Sequence, residues 1–234
     1  MAVVTVSRTR AVAIVAISHA QTRNGLSLEL WSELAETVER LGDDSTVHAI
    51  AIVSGVPGVW CAGMNLTELR AHVGDSGWLA RAIETVGRAC ERIAAVATPT
   101  VAVIEGSCVG GGVALATACH LRIAASAATF AIPPVVLGIP YPVVPARALA
   151  ALVGIGQARR LLLTAAPLDA DEALRIGLVE ERAERADAFE RIAEIATRQR
   201  DVLRTLTRVT GDDANEAILL REALSGGAHS ALLE

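Results

Sequence analysis

The chain has 234 residues, 52% of them hydrophobic and 20% charged, which is enough aliphatic side chain to bury the core of one domain with a small appendage. A formal charge of −5, an isoelectric point near 5.6 and no basic run longer than an arginine pair give no electrostatic footprint for nucleic acid. All 21 basic residues are arginine, which excludes lysine Schiff bases, lysine general bases and the lysine-dependent phosphate loop of nucleotide hydrolases.

Residues 3–6 and 11–17 are apolar at alternate positions, with Arg8 and Arg10 between them. This predicts a strand pair turning at the arginines rather than an export signal. Apolar β-branched runs at 48–53, 100–104 and 121–124, with shorter ones at 129–132 and 178–181, predict further strands. Between them Leu28, Trp31, Leu34, Val38 and Leu41, and then Leu79, Ile83, Val86, Cys90 and Ile93, recur at helical spacing and predict amphipathic crossover helices. Strand–helix alternation of this kind argues an α/β fold with parallel strands. Residues 123–146 carry no charge, but Pro133, Pro134, Pro140, Pro142 and Pro145 would leave carbonyls unpaired in lipid, so a buried wall is expected rather than a membrane span. Beyond residue 183 the strand pattern stops. Residues 186–207 and 214–224 read as Arg- and Glu-rich helices separated near Gly211 and Asp212. The expected division is a core over 1–183 and a helical oligomerisation region over 184–234.

Aromatic residues make up only 3% of the chain against 19 glycines, so the core must rely on small aliphatic side chains and close backbone approach. Cys61, Cys90, Cys108 and Cys119 lack C-x-x-C pairing and sit in apolar surroundings. They read as reduced buried thiols in a cytoplasmic protein, with no metal site.

Two segments carry chemistry. Gly58-Val59-Trp60-Cys61-Ala62-Gly63-Met64-Asn65-Leu66 follows a predicted strand and leads into a helix, whose first N–H groups have no internal partner. The run from Pro99 to Ala116 takes a strand into Gly110-Gly111-Gly112 and then straight into a helix of small residues, with the positive end of the helix dipole at bare backbone. It lacks the G-x-G-x-x-G spacing of a dinucleotide site. Two loops each offering one N–H suggest an oxyanion hole for a thioester carbonyl.

With these segments in view the chain resembles the crotonase superfamily, the enoyl-CoA hydratase/isomerase family, from about Val3 to Leu224. Arg23-Asn24-Gly25-Leu26 is similar to the family's R-N-A-L segment, Cys61 to Leu66 to its S-A-G-x-D-L loop, and Pro99 to Ala118 to its P-x-V-A-x-V-x-G-x-x-x-G-G-G-x-x-L-A-x-A block. The resemblance implies a ClpP/crotonase-like spiral of β-β-α units with a C-terminal α-helical layer, assembled as a homotrimer or hexamer. It implies that the N–H groups of Met64 and Gly111 are the oxyanion donors. Arg23 and Asn24 would lie by the phosphates of coenzyme A, and Ala62, Gly110, Ala114, Pro134 and Leu137 would line the substrate site. CoA or phosphopantetheine is then part of the substrate, and no separate cofactor is expected.

The family's two hydratase glutamates fall on Ala114 and Pro134, neither of which can move a proton. Thr129 to Tyr141 resembles another branch, methylmalonyl-CoA decarboxylase, in its T-F-A-x-x-P-V-x-L-G-V-P-Y pattern. That resemblance places Tyr141, the sole tyrosine, where the decarboxylase has an active-site tyrosine, although Met64 and Ala114 depart from its histidine and glutamate. Decarboxylation suits a pocket without carboxylates, because an enolate needs an oxyanion hole rather than a strong base. Tyr141, a water or His72 would quench the enolate. A hydratase or isomerase with nonstandard acid–base groups and a non-catalytic thioester-binding subunit remain as alternatives. Glu105 reads as an outward-facing partner, His120 as a structural group at a helix–strand junction, and Glu68 as surface helix; His229 lies where related polyketide decarboxylases carry a histidine.

Overall fold

A computed structural model describes residues 3–209. The chain opens with an antiparallel hairpin, β1 (Val3–Thr9) and β2 (Val12–Ser18). Arg10 turns it at φ 53°, and Arg8 is held by Asp44 at 2.6 Å. A two-residue strand, β3 (Gly25–Leu26), leads into α1 (Leu28–Asp43). Next come β4 (Ala49–Ser54), β5 (Val59–Cys61) and β6 (Gly63–Met64), followed by α2 (Leu66–Ala71) and α3 (Ser76–Ala95). The next two units are β7 (Thr100–Ile104), β8 (Ser107–Val109) and α4 (Gly111–Ala118), and then β9 (Leu121–Ala124), β10 (Thr129–Ala131), α5 (Pro134–Leu137) and α6 (Val143–Thr164). The described chain finishes through β11 (Leu168–Asp169), α7 (Ala170–Arg175), β12 (Glu181–Arg182), α8 (Arg185–Ala196) and α9 (Arg200–Val209).

In three successive units, β4/β5, β7/β8 and β9/β10, the first strand enters a six-stranded sheet of order β1-β2-β4-β7-β9-β12. The second enters a four-stranded sheet of order β11-β10-β8-β5. Apart from the β1–β2 and β10–β11 pairs, the described strand pairs are parallel. This stepping of β-β-α units is the crotonase-like spiral. Strands β4 and β7 are buried at every residue, as parallel strands covered on both faces must be. One face packs Ile50, Ile52, Ala102 and Ile104 against α1, α3 and α4. The other packs Ala49, Ala51, Val53, Val101 and Val103 against Ala188, Ile192 and Ala196 of α8.

Several elements differ from the sequence reading. The helix expected over 186–207 is two helices, because α8 ends at Thr197, whose hydroxyl donates back to the Glu194 carbonyl at 2.6 Å. Helix α9 then sends Arg200 and Arg204 to the Gly42 carbonyl at the end of α1, at 3.1 and 2.8 Å, where cations are favoured by the helix dipole. The helix expected over 214–224, its break at Gly211 and Asp212, and His229 lie outside the described residues. The proline-rich stretch is not a buried wall throughout: Val136 is 74% and Val143 63% exposed. Its last part starts α6, where Pro145 falls in the first turn and no intrahelical N–H is lost. Among the described residues no helix is long and apolar enough to cross a membrane.

Candidate thioester site

The site is built on a turn that the sequence marks by Arg23-Asn24-Gly25-Leu26. Arg23 and Asn24 both adopt left-handed backbone, at φ 55° and 57°, a region that asparagine tolerates better than most residues. The Arg23 carbonyl accepts the Ala62 N–H at 3.0 Å, and β3 pairs with β6 through Gly25 with Gly63 and Leu26 with Met64. The Asn65 N–H donates to the Leu26 carbonyl at 2.8 Å. Adjacent residues on a strand face opposite ways, so with the Asn65 N–H turned to β3 the neighbouring Met64 N–H points away from it.

The Asn24 side chain is turned away from solvent, where the CoA phosphates would lie. It is fully buried, donates to Ser54 Oγ at 2.8 Å and the Trp60 carbonyl at 2.9 Å, and accepts the His19 N–H at 2.7 Å. Its chemistry is spent on holding the turn. The guanidinium of Arg23 is exposed and donates to Ser107 Oγ at 3.2 Å.

The three glycines at the start of α4 answer to a close approach between two loops. A Cβ on Gly63 would stand 2.5 Å from Gly111 N, and one on Gly112 would stand 2.3 Å from the Cys61 carbonyl oxygen. Gly110 adopts φ 57° and ψ −112°, a conformation open to glycine and costly for other residues. The edge of the buried Trp31 ring would touch a Cβ on Gly111 at 3.1 Å. Gly111 is the first residue of α4, so its N–H has no acceptor within the helix. Behind it, the buried Arg122 guanidinium donates to the Ala116 and Cys119 carbonyls at the other end of α4, at 3.3 and 2.6 Å, and pairs with Glu180.

Ala62, Met64, Gly110, Gly111, Pro134, Leu137 and Tyr141 all line one cavity of about 200 Å³. Sequence reading missed Leu69 of α2, Ile83 and Val86 of α3, and Ile139 and Pro142 on the same wall; helical periodicity marks Ile83 and Val86 as inward-facing without revealing that the face borders a cleft. Ala114 is a correction: it is fully buried in the core and is not among the cavity's lining residues. Among the described lining residues the only ionisable side chain is Tyr141. Its hydroxyl donates to the Gly110 carbonyl at 3.2 Å, and burial pushes its pKa well above 10.

His72 stacks on Trp78, with ring centroids 4.4 Å apart and planes 5° from parallel, and it borders an adjoining groove rather than this cavity. Glu105 pairs with Arg185 of α8 at 2.5 Å. Glu68 is more than surface helix, since it accepts the Leu28 N–H at the start of α1 at 3.2 Å. His120 Nδ1 accepts the Thr100 N–H at 3.0 Å, and burial lowers its pKa to about 4, against a hydrogen bond to the Ala94 backbone. The four cysteines are buried and unpaired. Burial pushes the thiols of Cys61 and Cys119 up to about 12, so they are poor nucleophiles.

Residues 7–223 match the family model described as enoyl-CoA hydratase/isomerase. The chain is 34% identical over 171 residues to the mitochondrial methylglutaconyl-CoA hydratase of Mus musculus, a match covering 73% of this chain and 54% of that protein. It is 32% identical over 188 residues to the short-chain-enoyl-CoA hydratase of Clostridium acetobutylicum, covering 80% and 71%. Against methylglutaconyl-CoA hydratases the chain spans about half the length of the curated relatives it matches. Among solved structures, a Hyphomonas neptunium protein assigned to the enoyl-CoA hydratase/isomerase family superposes with a TM-score of 0.88 at 28% identity, over 99% of this chain and 92% of that one. By sequence and by fold, the chain belongs to the enoyl-CoA hydratase/isomerase family, the crotonase superfamily.

Proposed function

We propose that the chain binds an acyl thioester of CoA or a phosphopantetheine carrier and decarboxylates a malonyl-type acyl group. The thioester carbonyl oxygen sits between the N–H groups of Met64 and Gly111. The bond from the α-carbon to the carboxylate breaks, its electron pair moves onto the thioester oxygen as an enolate, CO₂ leaves, and the α-carbon takes a proton from water. The observation that carries this reading is the cavity wall: among its described residues no carboxylate or imidazole is available to remove a proton or activate water. An apolar wall disfavours the compact carboxylate more than the spread charge of the transition state, and one oxyanion donor contributes about 3–4 kcal/mol. Arg23, whose guanidinium is exposed, would meet the CoA phosphates. No cofactor is required. In the same reading residues 184–234 join the chain into a homotrimer or hexamer.

The names of the relatives favour a second reading, hydration of an enoyl thioester, with the acid–base group supplied from outside the described wall. Incubation with malonyl-CoA, methylmalonyl-CoA and crotonyl-CoA, followed by mass spectrometry, separates the two. Loss of 44 Da from a malonyl-type thioester, the mass of CO₂, is expected. Hydration of crotonyl-CoA with the malonyl-type thioesters intact would replace the first reading by the second.

A further inference from the structure

Tyr141 does not send its proton into the cavity. The hydroxyl donates to the Gly110 carbonyl at 3.2 Å, and the same carbonyl accepts the Ala114 N–H, also at 3.2 Å, in the first turn of α4. The Gly110 carbonyl and the Gly111 N–H are the two ends of one peptide unit. Among the described residues every peptide is trans, so these two bonds point in opposite directions within one plane. Whatever fixes the carbonyl therefore fixes the N–H.

The peptide has need of such a hold. Gly110 has the most permissive backbone in the chain's repertoire, and as the cap of α4 it brings no side-chain hydrogen bond. Its own N–H is tied to the Ala131 carbonyl at 2.8 Å, which anchors one side of the residue. The Tyr141 hydroxyl anchors the other side, from a ring set in the wall beside Pro140 and Pro142. Two donors on one carbonyl oxygen also draw electron density along the peptide, strengthening its N–H as a donor by roughly 10–30% per bond.

We infer that Tyr141 is a positioning residue, which aims and polarises the Gly111 N–H at the substrate carbonyl through the Gly110 peptide and makes no contact with the acyl group's carboxylate. This rests on the oxyanion reading above. The role differs from direct carboxylate binding in one consequence: removal of the hydroxyl weakens carbonyl polarisation for every acyl thioester, with or without a carboxylate.

The test uses the full chain and 4-(dimethylamino)cinnamoyl-CoA, whose absorbance moves to the red when its carbonyl is polarised. The wild type is expected to show a red shift, and Tyr141→Phe a smaller one with a Kd within about 3-fold of wild type, since one neutral hydrogen bond is at stake. On whichever thioester is turned over, kcat is expected to fall about 10-fold with KM little changed, a loss of transition-state stabilisation only. Affinities for malonyl-CoA and propionyl-CoA should change alike. A red shift unaltered in Tyr141→Phe, or an affinity loss confined to malonyl-CoA, would overturn the inference. No red shift in the wild type would instead remove the oxyanion reading, and this inference with it. Because the chain has one tyrosine, global replacement by 3-fluorotyrosine alters this position alone and keeps the ring's shape. A more acidic phenol donates more strongly, so a larger red shift is expected, and an unchanged one contradicts the role even if the Phe variant folds poorly.

Discussion

The two sides of the cavity are made in different ways. On one side β6 and the start of α4 meet backbone to backbone, so close that a Cβ on Gly63 or Gly112 would overlap the facing main chain. On the other, α5 is a four-residue helix with Val135, Val136 and Leu137 about half exposed or more, ended by Gly138 at φ 68° with open space around it. The first side offers main-chain donors that no side-chain replacement can remove, and its geometry is over-determined by packing. The second is a set of interchangeable side chains, and it is here that Pro134 stands where the resemblance places a glutamate. On the proposed reading, the acid–base positions of the second side can change while the backbone approach of the first stays as it is.

The contrast can be broken by adding one methyl group to each side. Gly63→Ala forces a Cβ into Gly111 N at 2.5 Å, on backbone at φ 87°. It should cost roughly 4 kcal/mol of stability, read as a lowered urea midpoint, and abolish acyl-CoA binding by calorimetry. Intact binding in that variant would show that the two loops need not touch.

A pH series probes the support behind the close-packed side. His120 sits at the far end of α4, and its folded pKa of about 4 lies below the ordinary 6.5. Between these values the unfolded chain binds a proton that the folded chain does not. The contribution is therefore complete above about pH 6.5 and is lost as pH falls toward 4, amounting to roughly 3–4 kcal/mol. Urea midpoints across that window should slope less in His120→Asn, whose amide oxygen still accepts the Thr100 N–H; an equal slope would assign the acid loss to other groups.

The smallest effect belongs to the open side. Gly138→Ala meets no atom within 4 Å, so only left-handed backbone strain remains, about 1 kcal/mol, with thioester affinity unchanged. A cost equal to that of Gly63→Ala would erase the distinction between the two walls.

What the sequence disclosed follows the same division. Buried parallel strands announce themselves as continuous apolar runs, and residues 100–104 and 121–124 coincide with β7 and β9. The glycines that allow the loops to touch are equally plain, since few other residues fit there. Strands of two or three residues such as β3, β6 and β11 carry too few positions to show a period, and tertiary contact makes them. Helix α6 shows no single stripe because its start is rich in proline and Gly154, at φ 76° and ψ 152°, interrupts it, so the apolar positions before and after the break do not share one phase. The resemblance to the R-N-A-L segment places Asn24 by the CoA phosphates, but motif position does not reveal burial, and its amide is turned inward onto three backbone and side-chain partners. Ala114 was placed by the motif beside the triple glycine, but the helical turn carries it into the core. The direction of the Tyr141 hydroxyl depends on where α4 begins relative to α5 and α6, a spatial relation with no local signature.

The central claim, that Met64 and Gly111 jointly bind a thioester carbonyl, is tested most directly by a crystal structure with a non-hydrolysable acyl-CoA thioether ketone analogue bound. The expected result places the ketone oxygen about 3 Å from both backbone nitrogens, with the Tyr141 hydroxyl still on the Gly110 carbonyl. An analogue seated with its carbonyl away from either nitrogen would contradict the account.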